Sequence, residues 1–248
     1  MKLVLAEPKY LRESISIISE LVNEVTFKVD ETKIEIIAMD PANVAMVIFK
    51  LLSSAFVEYE VKKPVRLSLS LDNLKQVLRR AKPSDTLKLE LDESKNRLKI
   101  QLKGESTRTF HLSLIDNEEM EQKIPDLNFG VKIEMPTIIF DEAIEDMSVI
   151  SESVALMTSK GNFTIRSESK LHAAKVEISK DDDTTIHCPD EEVNARYSIE
   201  YLKKISKASR LADKVILNFD NEYPLKAEFR VLDKMDLSFI LAPRVSSD

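Results

Sequence analysis

Glycine is almost missing from this chain. Its 248 residues include only Gly104, Gly130 and Gly161. Neither a phosphate-cradling loop nor a dinucleotide-binding turn can be assembled from them, because both need several glycines within a few positions. There is no tryptophan and one cysteine, Cys188. That excludes an internal disulfide framework and fits a reducing compartment. His111, His172 and His187 are scattered, the first two in predicted strands, and His187-Cys188 has no further Cys or His at ligand spacing. No cofactor, metal or catalytic constellation is therefore read. No apolar run approaches the roughly eighteen residues of a membrane span. The opening MKLVLAEPKY has too short an apolar stretch to read as a signal peptide.

What is present is a soluble, globular composition, 43% apolar and 32% charged, in a chain long enough for two ordinary domains. Its charge is unevenly spread. In Leu71–Lys82, Leu71, Leu74, Val77, Leu78 and Ala81 recur at helical spacing, while Lys75, Arg79 and Lys82 share the other side and Arg80 lies further round. Displaced by 128 residues, Ile199–Arg210 repeats the pattern: Leu202 matches Leu74, Lys203 matches Lys75, Lys207 matches Arg79 and Arg210 matches Lys82. Each segment carries +3 in a protein whose net charge is −7, which leaves −13 for the rest. Positive charge gathered onto two equivalent helices points to a polyanion. With Tyr201 the one aromatic in either segment, stacking on single-stranded bases is not expected. Lys and Arg without base-reading Asn or Gln suit phosphates and carry no sequence information.

The chain otherwise reads as short alternating strands with two helices in each half. The first half has strands at Lys2–Ala6, Thr26–Val29, Lys33–Ala38, Val44–Leu51, Val65–Ser70, Thr86–Leu91, Arg97–Leu102 and Thr107–Ile115, with a helical stripe of Leu11, Ile15, Ile18 and Val22. Ser70 is a candidate N-cap for the first basic helix. Residues 116–130 are acidic, contain Pro125 and show no period, so they read as a linker. The scheme then restarts. Phe140, Ile144, Met147 and Ile150 form a stripe, and strands follow on both sides of an acidic loop and the second basic helix. The same offset pairs Val65 with Val193, Ser70 with Ser198 and Asp85 with Asp213, as expected for a duplicated domain. The α+β scheme divides into domains at 1–117 and 131–248, joined by a connecting loop at 118–130. The acidic runs Asp181-Asp182-Asp183 and Asp190-Glu191-Glu192 read as solvated surface.

Four stretches carry a family resemblance: Ala38-Met39-Asp40-Pro41-Ala42-Asn43-Val44, Gln122-Lys123-Ile124-Pro125-Asp126, Asn221-Glu222-Tyr223-Pro224-Leu225 and Ile240-Leu241-Ala242-Pro243-Arg244-Val245. In their order and spacing the chain resembles the DNA sliding clamps of the proliferating cell nuclear antigen type over essentially its whole length. The Met-Asp-Pro turn and Ala-Pro-Arg ending look archaeal. The resemblance implies two tandem clamp domains with helices packed on antiparallel sheets, closed by three copies into a ring around duplex DNA. By position it implies DNA contact at Arg12, Lys75, Arg79, Arg80, Lys82, Lys203, Lys204, Lys207 and Arg210. One departure stands out, because the first helix of the second half holds Asp141, Glu142, Glu145 and Asp146 and no cation.

The resemblance further implies a non-catalytic tether. Its partner-peptide groove would be walled by Met39, Val44, Met46, Ile124, Leu127, Phe129, Pro224, Ile240, Leu241, Ala242 and Pro243. The partners implied are DNA polymerase, clamp loader, ligase and flap nuclease, bound through short glutamine and aromatic motifs. Subunit contacts fall at Thr109, Phe110, Leu112, Leu114, Ala174, Val176 and Ile178. Location would be cytoplasmic and nucleoid-associated in an archaeon, nuclear in a eukaryote. Two other readings are a subunit of a heterotrimeric or checkpoint-type clamp and, from another class, a nuclease using the acidic loops to hold metal.

Overall fold

The computed structural model describes residues 1–116 and 122–244; Val245 and the start of the linker lie outside the described residues. The chain divides into two units. The first holds Met1–Pro41, Val47–Ile124 and Val231–Leu237, and the second holds Ala42–Met46, Pro125–Arg230 and Ser238–Asp248.

In chain order the first run of elements is β1 (Lys2–Leu5), α1 (Lys9–Ile18), β2 (Glu24–Val29), β3 (Lys33–Met39), β4 (Ala45–Leu52), β5 (Glu58–Glu60), β6 (Val65–Ser70), α2 (Leu71–Leu78), β7 (Thr86–Asp92), β8 (Arg97–Lys103) and β9 (Thr107–Ser113). The second run is β10 (Val131–Pro136), α3 (Thr137–Ser148), β11 (Ser153–Ser159), β12 (Asn162–Glu168), β13 (Ala173–Ile178), β14 (Thr185–His187), β15 (Val193–Ser198), α4 (Ile199–Ser206), β16 (Lys214–Phe219), β17 (Leu225–Val231) and β18 (Met235–Leu241). The duplication read from the basic helices extends to strand order. The first run arranges β5-β1-β7-β8-β9 and β4-β3-β2-β6, and the second arranges β14-β10-β16-β17-β18 and β13-β12-β11-β15. Each order becomes the other when nine strands are added. Register follows too: Leu3 stands opposite Leu89 in one half and Ile133 opposite Leu217 in the other.

Period-two patterning produces these sheets by sending alternate residues inward. Val25, Phe27 and Val29 of β2 are buried, as are Phe163 and Ile165 of β12. The helices cover them with their apolar stripes. Leu71, Leu74, Val77 and Leu78 are buried on α2, and Ile199, Leu202 and Ile205 on α4. Truncating a fully enclosed leucine such as Leu202 to alanine costs about 2–5 kcal/mol, since the cavity adds to the lost transfer energy. Ser70 caps α2 as expected, its hydroxyl accepting the Asn73 N–H at 3.4 Å.

The helices are shorter than their apolar stripes. The stripe of α1 runs on to Val22, yet the helix ends at Ile18 and the chain tightens through i→i+3 bonds from Glu20 and Leu21. After α2 the N–H groups of Arg80 and Ala81 reach Val77 and Leu78, and Pro83 precludes another helical turn. After α4 a 3-10 turn at Lys207–Arg210 plays that part. Two short strands, β5 and β14, have too few residues to show alternation and were not expected. β14 crosses the supposed acidic loop and pairs with β10, which makes His187 a strand residue. His172, expected in a strand, instead lies in the turn before β13, where its N–H donates to Ser169 Oγ at 3.1 Å.

Candidate nucleic-acid interface and partner-binding segments

In the first unit α2 presents Lys75 half-buried, and the turn that follows it presents Arg79, Arg80 and Lys82 exposed. Lys75 Nζ donates to Ser19 Oγ at 2.9 Å, and that hydroxyl donates to the Ser16 carbonyl at 2.9 Å, so the ammonium rests on the end of α1. The turn carrying the other cations is built round Asp85, which is only 2% exposed. Its Oδ2 accepts the Lys82 N–H at 2.7 Å and pairs with the Arg108 guanidinium. Arg108 also donates to the Arg80 carbonyl at 2.7 Å. The Lys82 N–H first, and then the Arg108 charge, hold the Asp85 carboxyl below its ordinary range against the opposing effect of burial. A side chain at Gly104 would collide with Asp85 Oδ1, which explains one of the three glycines. Arg108 had no signature in the sequence, because it lies in β9, well away from the helix it braces. Arg12 is engaged at the same end, with Nε 3.0 Å from Glu13 and Nη1 donating to the Ala81 carbonyl at 3.3 Å.

The second unit repeats the helix pair with different neighbours. Lys203 Nζ lies 3.4 Å from Ser148 Oγ and 2.9 Å from a Glu145 carboxylate oxygen. Lys204 pairs with Glu200 at 2.8 Å and covers the Tyr201 ring at 5.3 Å. Asp141 accepts from the Ser206 and Ser209 hydroxyls at 2.5 and 3.4 Å. Lys207 is half-buried and Arg210 exposed. Asp213, the repeat partner of Asp85, is exposed, and its carbonyl accepts the Thr137 N–H at 2.9 Å. The acidic run nearby also has a local structural use. Asp181 Oδ1 accepts the Asp183 and Thr184 N–H groups at 2.9 and 2.7 Å, which folds the turn before β14 and lowers the pKa of this carboxyl.

The docking residues fall into both units. Met39 is half-buried and Ile124 exposed in the first. In the second, Val44, Leu127, Phe129, Pro224, Ala242 and Pro243 are half-buried, whereas Met46, Ile240 and Leu241 are core, the last with no exposure at all. The Val44 carbonyl accepts the Ala242 N–H at 2.9 Å, tying the Pro41 turn to the C-terminal segment. The linker end is fastened at Gly130, whose N–H donates to Asp220 Oδ2 at 2.9 Å. A Cβ there would stand 2.7 Å from that oxygen. Tyr197 Oη donates to the Tyr223 carbonyl at 2.7 Å, and burial raises the pKa of this phenol well above the usual tyrosine range.

The residues expected at a subunit seam lie on or beside two sheet edges. β9 pairs with β8 and β13 with β12, with no second neighbour among the described residues. Phe110, Leu112, Leu114, Ala174 and Val176 are half-buried, Thr109 is exposed and Ile178 is buried. The other long edges, β6 and β15, each take a backbone hydrogen bond from a nearby segment. Ser68 of β6 accepts the Ile115 N–H at 2.8 Å, and Arg196 of β15 accepts the Arg244 N–H at 2.7 Å. An open, alternating edge is a template for another strand.

Known proteins match this chain over nearly its whole length. Residues 2–122 match the family model for the proliferating cell nuclear antigen N-terminal domain, and residues 123–244 the model for its C-terminal domain. A DNA polymerase sliding clamp of Nanoarchaeum equitans is 35% identical over 247 residues, covering 98% of this chain and 99% of that protein. One from Pyrococcus horikoshii is 36% identical over 245 residues, covering 98% of each. The crystal structure of proliferating cell nuclear antigen from Thermococcus kodakaraensis superposes with a TM-score of 0.91 at 26% identity, covering 98% of this chain and 99% of that one. With both domain models matched in order and full-length relatives above one-third identity, the chain belongs to the proliferating cell nuclear antigen family.

Proposed function

We propose that this chain is a DNA polymerase sliding clamp: three copies close into a ring round duplex DNA and hold a polymerase at its primer. The observation that carries the reading is the charge distribution. An acidic chain gathers positive charge onto α2 and α4 with the turns that follow them, at matched positions of a duplicated fold. In a ring lined by these helices, Arg12, Lys75, Arg79, Arg80, Lys82, Lys203, Lys204, Lys207 and Arg210 meet phosphates. Phosphate contacts favour no register, so the ring slides. The acidic remainder discourages side-on binding.

Closure is heterologous, β9 of one copy adding to β13 of the next, with Thr109, Phe110, Leu112, Leu114, Ala174, Val176 and Ile178 at the seam. Clamp domains at 1–117 and 131–248 flank the connecting loop. Partner motifs carrying a glutamine and paired aromatics dock on Val44, Leu127, Phe129, Pro224, Ala242 and Pro243, with Met46, Ile240 and Leu241 supporting them from the core. Polymerase, loader, ligase and flap nuclease share this surface, and linkage to the ring raises each one's effective concentration at DNA. The chain performs no covalent chemistry in this reading, and it works beside the chromosome in the cytoplasm of an archaeal cell.

Sedimentation combined with primer extension on a circular template tests the proposal. The expected result is a species of three times the 28.3 kDa chain mass that lengthens polymerase products. A monomer at micromolar concentration, or Mg²⁺-dependent nicking of plasmid DNA, overturns it.

A further inference from the structure

The two helix pairs are built alike and charged oppositely. Leu11, Ile15 and Ile18 of α1 occupy the same buried stripe as Phe140, Ile144 and Met147 of α3, at a constant offset of 129 residues. Hydrogen bonding places the intervening residues in correspondence as well. Ser19 Oγ donates to the Ser16 carbonyl at 2.9 Å and Ser148 Oγ to the Glu145 carbonyl at 2.7 Å. Lys75 and Lys203 each reach the serine of their own unit. The offset puts Asp141 where the first unit has Arg12, and Glu145 where it has Ser16. Both differences point at the basic partner helix and the turn after it: Asp141 accepts hydrogen bonds from the Ser206 and Ser209 hydroxyls, and Glu145 pairs with the Lys203 ammonium at 2.9 Å. Among the described residues Lys75 has no such carboxylate.

We propose that Glu145 masks Lys203, so that the second unit makes a weaker phosphate contact than the first and the duplex is held chiefly by Lys75 and the cations of the turn after α2. This rests on the clamp reading. A cation paired with a carboxylate at 2.9 Å brings no net charge to the duplex, and the counterion it would release from a phosphate is offset by the carboxylate left behind, so it adds little to affinity or to its salt dependence. Masking one lysine in each copy loosens the grip on DNA while the fold and apolar stripe of the helix pair are kept. Both side chains are substantially exposed, 39% for Lys203 and 56% for Glu145, so the pair contributes little to stability and can be altered without unfolding the chain.

The test is the salt dependence of binding to a fluorescent duplex by the full-length protein, followed by anisotropy between about 50 and 200 mM salt, the range over which phosphate contacts separate clearly. Glu145→Gln should steepen the slope of log affinity against log salt by about 0.9 for each unmasked lysine that reaches a phosphate, a roughly threefold larger loss over that range. Glu145→Ser, which copies the first unit, should do the same. Lys75→Ala should flatten the slope, Lys203→Ala should flatten it less, and Lys203→Ala should abolish the gain in the double variant. An unchanged slope in Glu145→Gln, or a loss in Lys203→Ala equal to that in Lys75→Ala, overturns the mask. If Lys75→Ala still flattens the slope, the clamp reading survives that failure; if it does not, both fall.

Discussion

The ring of Phe129 stands edge-on to that of Tyr223, with centroids 5.8 Å apart and planes at 76°. The contact fixes the end of the connecting segment to the turn between β16 and β17, whose shape is held by the Tyr197 hydroxyl. An apolar residue in an otherwise polar stretch thus has a defined seat and still keeps part of its face open. Phe129→Ala should weaken binding of a Gln-x-x-Leu-x-x-Phe-Phe peptide by about 1–3 kcal/mol, the range for an anchor contact. Calorimetric titration measures it, and affinity equal to the parent's removes Phe129 from the groove.

Leu241→Ala should behave differently. The side chain is fully enclosed, so its truncation should lower unfolding free energy by about 2–5 kcal/mol in denaturant melts. A melt matching the parent's would show that this part of the core can collapse around the loss.

Reversing charge at Lys75, Arg79, Lys203 and Lys207 together should shorten polymerase products at low salt and leave the melting profile nearly unchanged, because charges on the solvated side of a helix add little to stability even when partly covered. The difference from the parent should shrink as salt rises, since the same charges are then screened. Normal extension at low salt by the quadruple variant would count against these helices as the DNA surface.

Proline at Leu112 or Val176 interrupts an edge strand by removing an N–H donor or disturbing its packing. Each variant should sediment as a folded monomer. A trimer in both would move the seam off β9 and β13.

Acid should destabilise the protein through Asp85 and Asp30. Both carboxyls lie below their ordinary value of 3.8, Asp85 chiefly through the Lys82 N–H and Asp30 chiefly through the Thr32 hydroxyl. A folded-state pKa below the unfolded one gives stability that is full above the unfolded value and is lost as pH falls through the folded value. Urea melts from neutral pH down to about pH 2 should therefore show a drop beginning near pH 4, around the unfolded aspartate pKa. Asp85→Asn should be less stable at pH 7 and lose less on acidification. Equal pH slopes in the two proteins would exclude Asp85 from the effect.

Much of the strand scheme was legible because patterning of period two and 3.6 is a local property of a chain. β6 matches its expected bounds of Val65–Ser70, and Ser70 caps the helix it precedes. The repeat was legible because cations at matched spacing on two helices do not arise from alternation alone. Where the helices stop was less so: the apolar stripe continues past Ile18 and Leu78, while the backbone tightens into i→i+3 turns.

The sequence by itself determined that two similar halves, each with two helices, gather positive charge on one helix apiece in an acidic, glycine-poor protein. Tertiary structure decided which of those charges are available. Arg108 reaches Asp85 from 23 residues away and Glu145 reaches Lys203 from 58 away, separations at which no local period carries a signal. It also decided that Leu241 is core while Phe129 is half open, although both are apolar residues in stretches that identify the family. Burial depends on what the rest of the chain packs against a residue, and ion pairing on which side chains folding brings within a few ångströms. Neither is written in the residue's own neighbourhood.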